Sequence, residues 1–437
     1  MTLRSKIRLA TMYSVCCAAL GAAAIGWAQG LPAASPESVG MSSERLARVT
    51  ETFKNEVAQG RLPGVVMMVA RKGKLVYSEA LGVQDKANGV PMSKDSIFRI
   101  YSMTKPFTSV AAMILVEEGK MQLTDPVSKF LPAFRNMQVS VARADPEYAR
   151  LTYSTVGADR EMTVQDLLRH TSGLADAEIT ANAPVKEAYT KAGLFKPGGP
   201  SYESRELTPS EHVDSIAKAP LIHQPGTYWE YSVATDVLGR VVEAVSGTTL
   251  GEFLNERVFK PLRMPDSGFW VPPAKIKRLA QTAPEVTFKT LDMTQPPMND
   301  SGAAGGVSTA ADYLRFTQMM VNGGRLDGAR VLSRNTVALM TSEHLGTRIG
   351  AAVTPGEVLL QVPGYTFGLG FAVRQAPGVA GVAGSQGEFM WGGWAGTYFW
   401  GDPKEEIAAV YLTQSPGPAR PYYRRLFKNL VYQSIND

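Results

Sequence analysis

The chain has 437 residues, 44% hydrophobic and 19% charged, an ordinary balance for a globular protein with a sizeable core. Its 45 lysines and arginines against 40 acids give a formal charge of +5, but Arg4, Lys6 and Arg8 supply three of those cations. Without them the balance is 42 to 40, which leaves no case for nucleic-acid binding.

Residues 1–28 stand apart. After the three cations, an uncharged run extends from Leu9 through Trp27, and small Gly26 and Ala28 occupy the positions a signal peptidase reads. The segment resembles a secretory signal peptide with Gln29 as the new N-terminus, so the mature chain (29–437) is expected to be exported, periplasmic or secreted, without stable membrane insertion. A retained anchor is the alternative, although the Ala/Gly-rich run is weak for a spanning helix. Both cysteines, Cys16 and Cys17, lie in this leader, and Tyr13-Ser14-Val15 before them makes a poor lipoprotein signal. The mature chain would then hold no disulfide, no cysteine nucleophile and no thiolate metal site.

Residues 42–58 read as an amphipathic helix with Leu46, Val49, Phe53 and Val57 on one side. Two strand-like runs follow, Val65 to Ala70 and Lys74 to Ser78, joined by a Lys72-Gly73 turn. Next comes Ser102-Met103-Thr104-Lys105 at the expected first turn of a helix that carries Val110, Ile114 and Leu115 and ends at Gly119. Residues at i and i+3 share a helical face, so the Lys105 amine can reach the Ser102 oxygen. A serine is a poor nucleophile until a base takes its proton, and an amine does this once desolvation lowers its pKa. The helix N-terminus disfavours a charged Lys105 and favours an oxyanion beside Ser102. The spacing alone is weak, because Ser215-Ile216-Ala217-Lys218 has it too and reads as an ordinary helix face.

The middle of the chain, about 131–290, reads as helical and loop-rich, with many prolines and glycines. Within it, Tyr231-Ser232-Val233 precedes a helical run that ends at Ser246-Gly247. Tyr231 is either a packing tyrosine or a phenol aimed at the serine, where a neighbouring lysine cation would lower its pKa. Gly305-Gly306 lacks the following lysine of a phosphate loop and reads as a tight turn near a cleft. Strand patterns fall around 365–374, 389–400 and 405–412, the last two joined by Gly401-Asp402-Pro403-Lys404, and a helix covers 420–435. Phe389-Met390-Trp391-Gly392-Gly393-Trp394 is either an edge strand thinned for a bulge or a strand whose glycines let a substrate approach. Strands and helices at both ends, about 40–130 and 291–437, with a helical region between them, imply a discontinuous α/β domain with an insert.

The order Ser102-x-x-Lys105, Tyr231-Ser232-Val233, Trp391-Gly392-Gly393 resembles the serine β-lactamase and penicillin-binding-protein superfamily, and more narrowly the class C-like family VIII carboxylesterases. Supporting segments include Asp166 to Leu174, Gly119 to Pro126 and Ala303 to Thr309. The resemblance implies a β-lactamase/transpeptidase-like fold, an antiparallel sheet flanked by helices, with no cofactor and no metal. It makes Ser102 the nucleophile, Lys105 and Tyr231 the acid–base pair, and the backbone N–H groups of Ser102 and Trp394 the oxyanion hole. Val233, Trp391, Gly392 and Gly393 would meet the substrate.

The departures from the family pattern are informative. Penicillin-recognising members usually carry Lys-Thr-Gly where this chain has Trp391-Gly392-Gly393, and many carry Asn where it has Val233. An anionic substrate would lose a charge-assisted contact of about 1.5–3 kcal/mol. The expected activity is therefore hydrolysis of small or medium acyl esters, with acyl transfer feasible. A β-lactamase, D-amino-acid peptidase or oligoamide hydrolase is the alternative in class, and a non-catalytic recognition module the alternative outside it. The chain has four histidines and no G-x-S-x-G, so a histidine-based triad has little support. His170 reads as structural.

Overall fold

The structure, a computed structural model, describes residues 30–437 except 146, 148–149 and 196–203. The leader expectation therefore falls outside the described residues. Among the described residues, no helix is long and apolar enough to cross a membrane.

An eight-stranded sheet organises the chain. Its strands are β1 (Gly64–Arg71), β2 (Lys74–Asp85), β3 (Val90–Pro91), β4 (Tyr365–Phe367), β5 (Ala372–Arg374), β6 (Phe389–Gly392), β7 (Tyr398–Asp402) and β8 (Ile407–Leu412). They lie in the order β4-β5-β6-β7-β8-β1-β2-β3, every neighbouring pair antiparallel. Residues from opposite ends of the chain thus meet at the centre, where Met67 pairs with Tyr411. The β1–β2 hairpin turns at Lys72 and Gly73, both at positive φ (52° and 72°), the twist that two-residue hairpins prefer.

Five helices matter here: α1 (Ser43–Ala58), α2 (Thr104–Glu117), α3 (Ala234–Ser246), α4 (Ala310–Val321) and α5 (Arg420–Tyr432). Helix α1 starts where the Ser42 side chain accepts the Arg45 N–H and buries Leu46, Val49 and Phe53, the stripe expected from sequence. Side chains alternate across a strand, so neighbours on β7 report opposite faces. Trp400 packs on Phe427 of α5 at 5.5 Å and Phe399 on Tyr313 of α4 at 4.8 Å. The sheet is covered on both sides, and every residue of β6, β7 and β8 is buried. Gly119, at φ 68°, lies two residues past the end of α2, and all of Thr104–Leu115 is buried rather than one side alone.

Four expectations change. The run 389–400 is two antiparallel strands, because Gly393 to Thr397 turns back on itself with Gly396 at φ 99° and Gly396 N–H on Gly393 O. The run 365–374 likewise splits at Gly370, φ 95°. The hairpin before β8 turns two residues later than expected, at 403–406, since Asp402 still pairs with Ile407 and Glu406 takes the left-handed position. The middle of the chain, read as helical, also contains a hairpin, Gln138–Asp145 against Arg150–Gly157. Its largely exposed second strand carries too little apolar alternation to announce itself.

Candidate active site

Ser102 occupies a single tight turn, Tyr101–Met103, that runs directly into α2. Tyr101 sits at φ 44°, a left-handed conformation that is rare for a bulky residue and costs about 1–3 kcal/mol. Its surroundings hold it there. Thr104 Oγ1 donates to Tyr101 O at 2.6 Å, Gly306 N–H donates to Thr104 Oγ1 at 2.9 Å, and Ile100 N–H donates to Gly306 O at 3.0 Å. Gly306 tolerates this approach only because it has no Cβ, which would meet Thr104 Oγ1 at 2.6 Å. The turn read at Gly305-Gly306 falls just before it, at 302–304, and Gly306 itself braces the serine turn.

Two side chains converge on the serine oxygen. Tyr231 OH donates to Ser102 Oγ at 2.6 Å, and Lys105 Nζ stands 3.5 Å from the same oxygen. Lys105, 2% exposed, donates to Ala303 O at 3.1 Å and lies over the Tyr231 ring at 4.5 Å. Burial pushes its amine down to about 8, against smaller upward pulls from Asp236 and Asp176. Tyr231 differs from expectation, because burial raises its phenol pKa, with the Ser102 hydrogen bond and the Trp391 indole opposing that rise. The phenol is therefore a proton donor at rest rather than a phenolate.

His170 lies behind Tyr231 at 5.1 Å between ring centres, with Nδ1 3.2 Å from Ser232 Oγ. Burial and the nearby Lys105 hold its pKa well below the usual histidine value, so it remains a neutral packing partner. In the other S-x-x-K, Ser215 belongs to the helix Pro209–Ala217 and Lys218 is exposed, so its amine stays solvated. Ser215→Ala is accordingly expected to leave ester turnover and melting temperature unchanged, which a steady-state assay and a thermal melt would check.

The strand residues are placed differently from expectation. Trp391 is 1% exposed and packs on Tyr231 and Phe367 at 5.6 and 5.3 Å, backing the phenol instead of offering a free face. The space a side chain would fill at Gly392 is taken by Arg424, whose guanidinium carbon would lie 2.8 Å from a Cβ. At Gly393 a Cβ would meet Ile100 O and Thr397 Oγ1, each at 2.2 Å. Gly393→Ala should therefore destabilise the protein by about 1–3 kcal/mol, measurable by denaturant unfolding, because neither neighbour is free to yield. Val233 is half-buried against the apolar group around Tyr189 and Ile222. The half-buried Trp394 bridges Tyr101 and Phe288, at 5.4 Å from each, and Phe288 is 44% exposed. Among the described residues, the Trp394 N–H meets no acceptor.

Sequence reasoning missed Asp236 and Ala303. Buried Asp236, on the first turn of α3, accepts from Ser301 Oγ at 2.7 Å and Ala303 N–H at 3.1 Å. That clamp fixes the carbonyl that receives the Lys105 amine. The available signal was spacing, since Asp236 lies five residues after Tyr231 and just past the start of its helix. Backbone carbonyls such as Ala303 O leave no trace in residue identity.

A family model described as Beta-lactamase matches residues 49–432. An uncharacterised protein of Mycobacterium tuberculosis is 36% identical over 369 residues, spanning 81% of this chain and 86% of that protein. Esterase EstB of Burkholderia gladioli is 30% identical over 392 residues, spanning 84% of this chain and 90% of EstB. The solved structure of EstCE1, described as a hydrolase with promiscuous acyltransferase activity, superposes with a TM-score of 0.71 at 27% identity. It covers 89% of this chain and 99% of EstCE1.

Proposed function

Since the chain belongs to the β-lactamase family of serine hydrolases, we propose that it is a carboxylesterase acting on small or medium, neutral, apolar acyl esters through an acyl-enzyme on Ser102. The observation that carries this reading is the convergence of a buried lysine amine and a protonated phenol on one serine oxygen. An amine with its pKa near 8 is partly neutral at physiological pH, and its donation to Ala303 O uses one N–H while leaving the lone pair for a proton. Lys105 takes the Ser102 proton as Oγ attacks the ester carbonyl. The N–H groups of Ser102 and Trp394 receive the oxyanion. Tyr231 protonates the departing alcohol, and the proton held by Lys105 restores the phenol. Water then enters by the reverse path and releases the acid.

The ester preference is supported by the strand. Where penicillin-recognising relatives use Lys-Thr-Gly, Trp391 supplies no cation, and Arg424 donates to backbone carbonyls at the back of the strand. The Trp394–Phe288 pair offers an apolar rim beside the serine turn. The likeness to EstB and EstCE1 points the same way, and an alcohol in place of water would make the site an acyltransferase. Export to the periplasm or medium rests on residues 1–28 alone.

Comparing kcat/KM for p-nitrophenyl butyrate and nitrocefin tests the reading. The ester is expected to turn over faster, and faster turnover of nitrocefin would overturn the assignment. Tyr231→Phe keeps the ring packing but removes the proton donor, so kcat should fall by about 10²–10⁴. A near-normal rate in that variant would remove Tyr231 from the mechanism.

A further inference from the structure

Arg424 on α5 is buried. Among the described residues it meets no carboxylate, and its acceptors are three backbone carbonyls. Nη2 donates to Gly393 O at 2.7 Å and Thr397 O at 3.2 Å, and Nη1 donates to Leu359 O at 3.1 Å. Burial pushes its guanidinium down to about 9, so holding a charge there is costly. Gly392 is what admits it, because any side chain on that residue would strike the guanidinium. One turn earlier on α5, Arg420 donates from Nη1 to Trp394 O at 2.9 Å and from Nε to Gly417 O at 2.8 Å.

These two arginines hold consecutive peptide planes. The Gly393 carbonyl and the Trp394 N–H belong to one planar trans peptide, so they point in opposite directions. A guanidinium fixed on Gly393 O therefore turns the Trp394 N–H away from α5. The Trp394 carbonyl, held by Arg420, fixes the next plane, and Ser415 N–H on Ala395 O at 2.8 Å pins the far side of the turn. Gly393 meanwhile lies against the Ile100 carbonyl at the base of the serine turn, so the freed N–H and Ser102 belong to adjoining turns.

We propose that Arg424 and Arg420 are positioning residues that lock the peptide planes on either side of Trp394 and so preorganise its N–H as an oxyanion donor. The inference rests on the esterase reading above. It accounts for the Gly392-Gly393 pair without the substrate, since one glycine makes room for the guanidinium and the other for the serine turn. Preorganised donors stabilise charge that appears only in the transition state, so their loss lowers kcat and leaves ground-state binding nearly untouched.

The test uses the whole protein, with p-nitrophenyl butyrate as substrate and an arylboronic acid as a tetrahedral adduct of Ser102. Arg424→Met should lower kcat by about 10- to 100-fold, short of the ~10²–10³ cost of deleting a hole donor, with KM within about threefold. Boronate affinity should fall in step with kcat/KM, a correlation that mere loss of folded protein would not produce. Arg424→Lys, which can keep one donor on Gly393 O, should recover part of the loss. Should Arg424→Met not fold, Arg420→Ala decides, because that side chain is only half-buried; about a three- to tenfold drop in kcat is expected at unchanged melting temperature. Folded variants with kcat and boronate affinity like the wild type would overturn the inference. A wild type that turns over no ester would instead sink the esterase reading beneath it.

Discussion

Ser102→Ala is expected to abolish ester turnover, lowering kcat by on the order of 10⁴–10⁶, while the protein melts like the wild type. The size follows from the site's economy. Tyr231 and Lys105 both address the serine oxygen, and among the described residues nothing else nucleophilic is held between them. Stability should hold, because the lost hydroxyl takes away one acceptor shared by Tyr231 OH and Lys105 Nζ, while Lys105 keeps its bond to Ala303 O and the phenol ring still packs on Lys105 and His170. Rate measurement on the purified variant, with circular dichroism to confirm folding, checks both halves. Residual turnover within tenfold of wild type would mean a different nucleophile.

Lys105→Met is the second large effect. Removing the base should cost about 10²–10⁴ in kcat/KM. The wild-type profile of kcat/KM should rise with pH through about 8 and then level, because only the neutral amine can accept the Ser102 proton. In the variant that rise should vanish. Stability gives an independent reading with a defined sign. The folded pKa of about 8 lies below the usual 10.5, so the unfolded chain binds more protons across that window and stability rises with pH there. Methionine fills the same volume without a buried ammonium, so the variant should lose this slope and melt no lower than wild type near neutral pH. A pH profile unchanged in the variant would assign the base elsewhere.

The sequence was most informative where chemistry needs particular side chains at particular places. Ser102 and Lys105 lie in one motif and Tyr231 in a second, in the order the family shares, and the fold brings those three side chains within hydrogen-bonding or cation–ring distance. Helix α1 and the β1–β2 hairpin were legible because an exposed face alternates with a buried one and because Lys72-Gly73 suits a tight turn. The C-terminal strands were harder. Phe389, Met390 and Trp391 are all buried, as are Tyr398, Phe399 and Trp400, so the run has no polar phase to show where it folds back. The same lack of phase hid which tryptophan is enclosed. Trp391 and Trp394 look equivalent in sequence, yet one backs Tyr231 and the other reaches Phe288.

Electrostatics was the other gap. A lysine near a tyrosine suggests a lowered phenol pKa, but that argument assumes the cation is charged and the site wet. Burial penalises both charges, which lowers the amine and raises the phenol. In the proposed mechanism the roles therefore separate into a lysine base and a tyrosine acid, instead of a shared phenolate. Contacts through backbone carbonyls, at Ala303 for Lys105 and at Gly393 for Arg424, were illegible for a simpler reason. Every residue has a carbonyl, and only the fold decides which are aimed at a charge.

The central claim is a covalent intermediate on Ser102, and the direct measurement is acid quench of the protein with p-nitrophenyl butyrate, followed by proteolysis and mass spectrometry. The Tyr231→Phe variant, expected to release the acyl group slowly, serves beside the wild type to raise the trapped fraction. One butyryl group on the peptide that carries Ser102, lost in Ser102→Ala, is the expected result. Butyryl on any other residue, or ester turnover with none on Ser102 in either protein, would contradict the account.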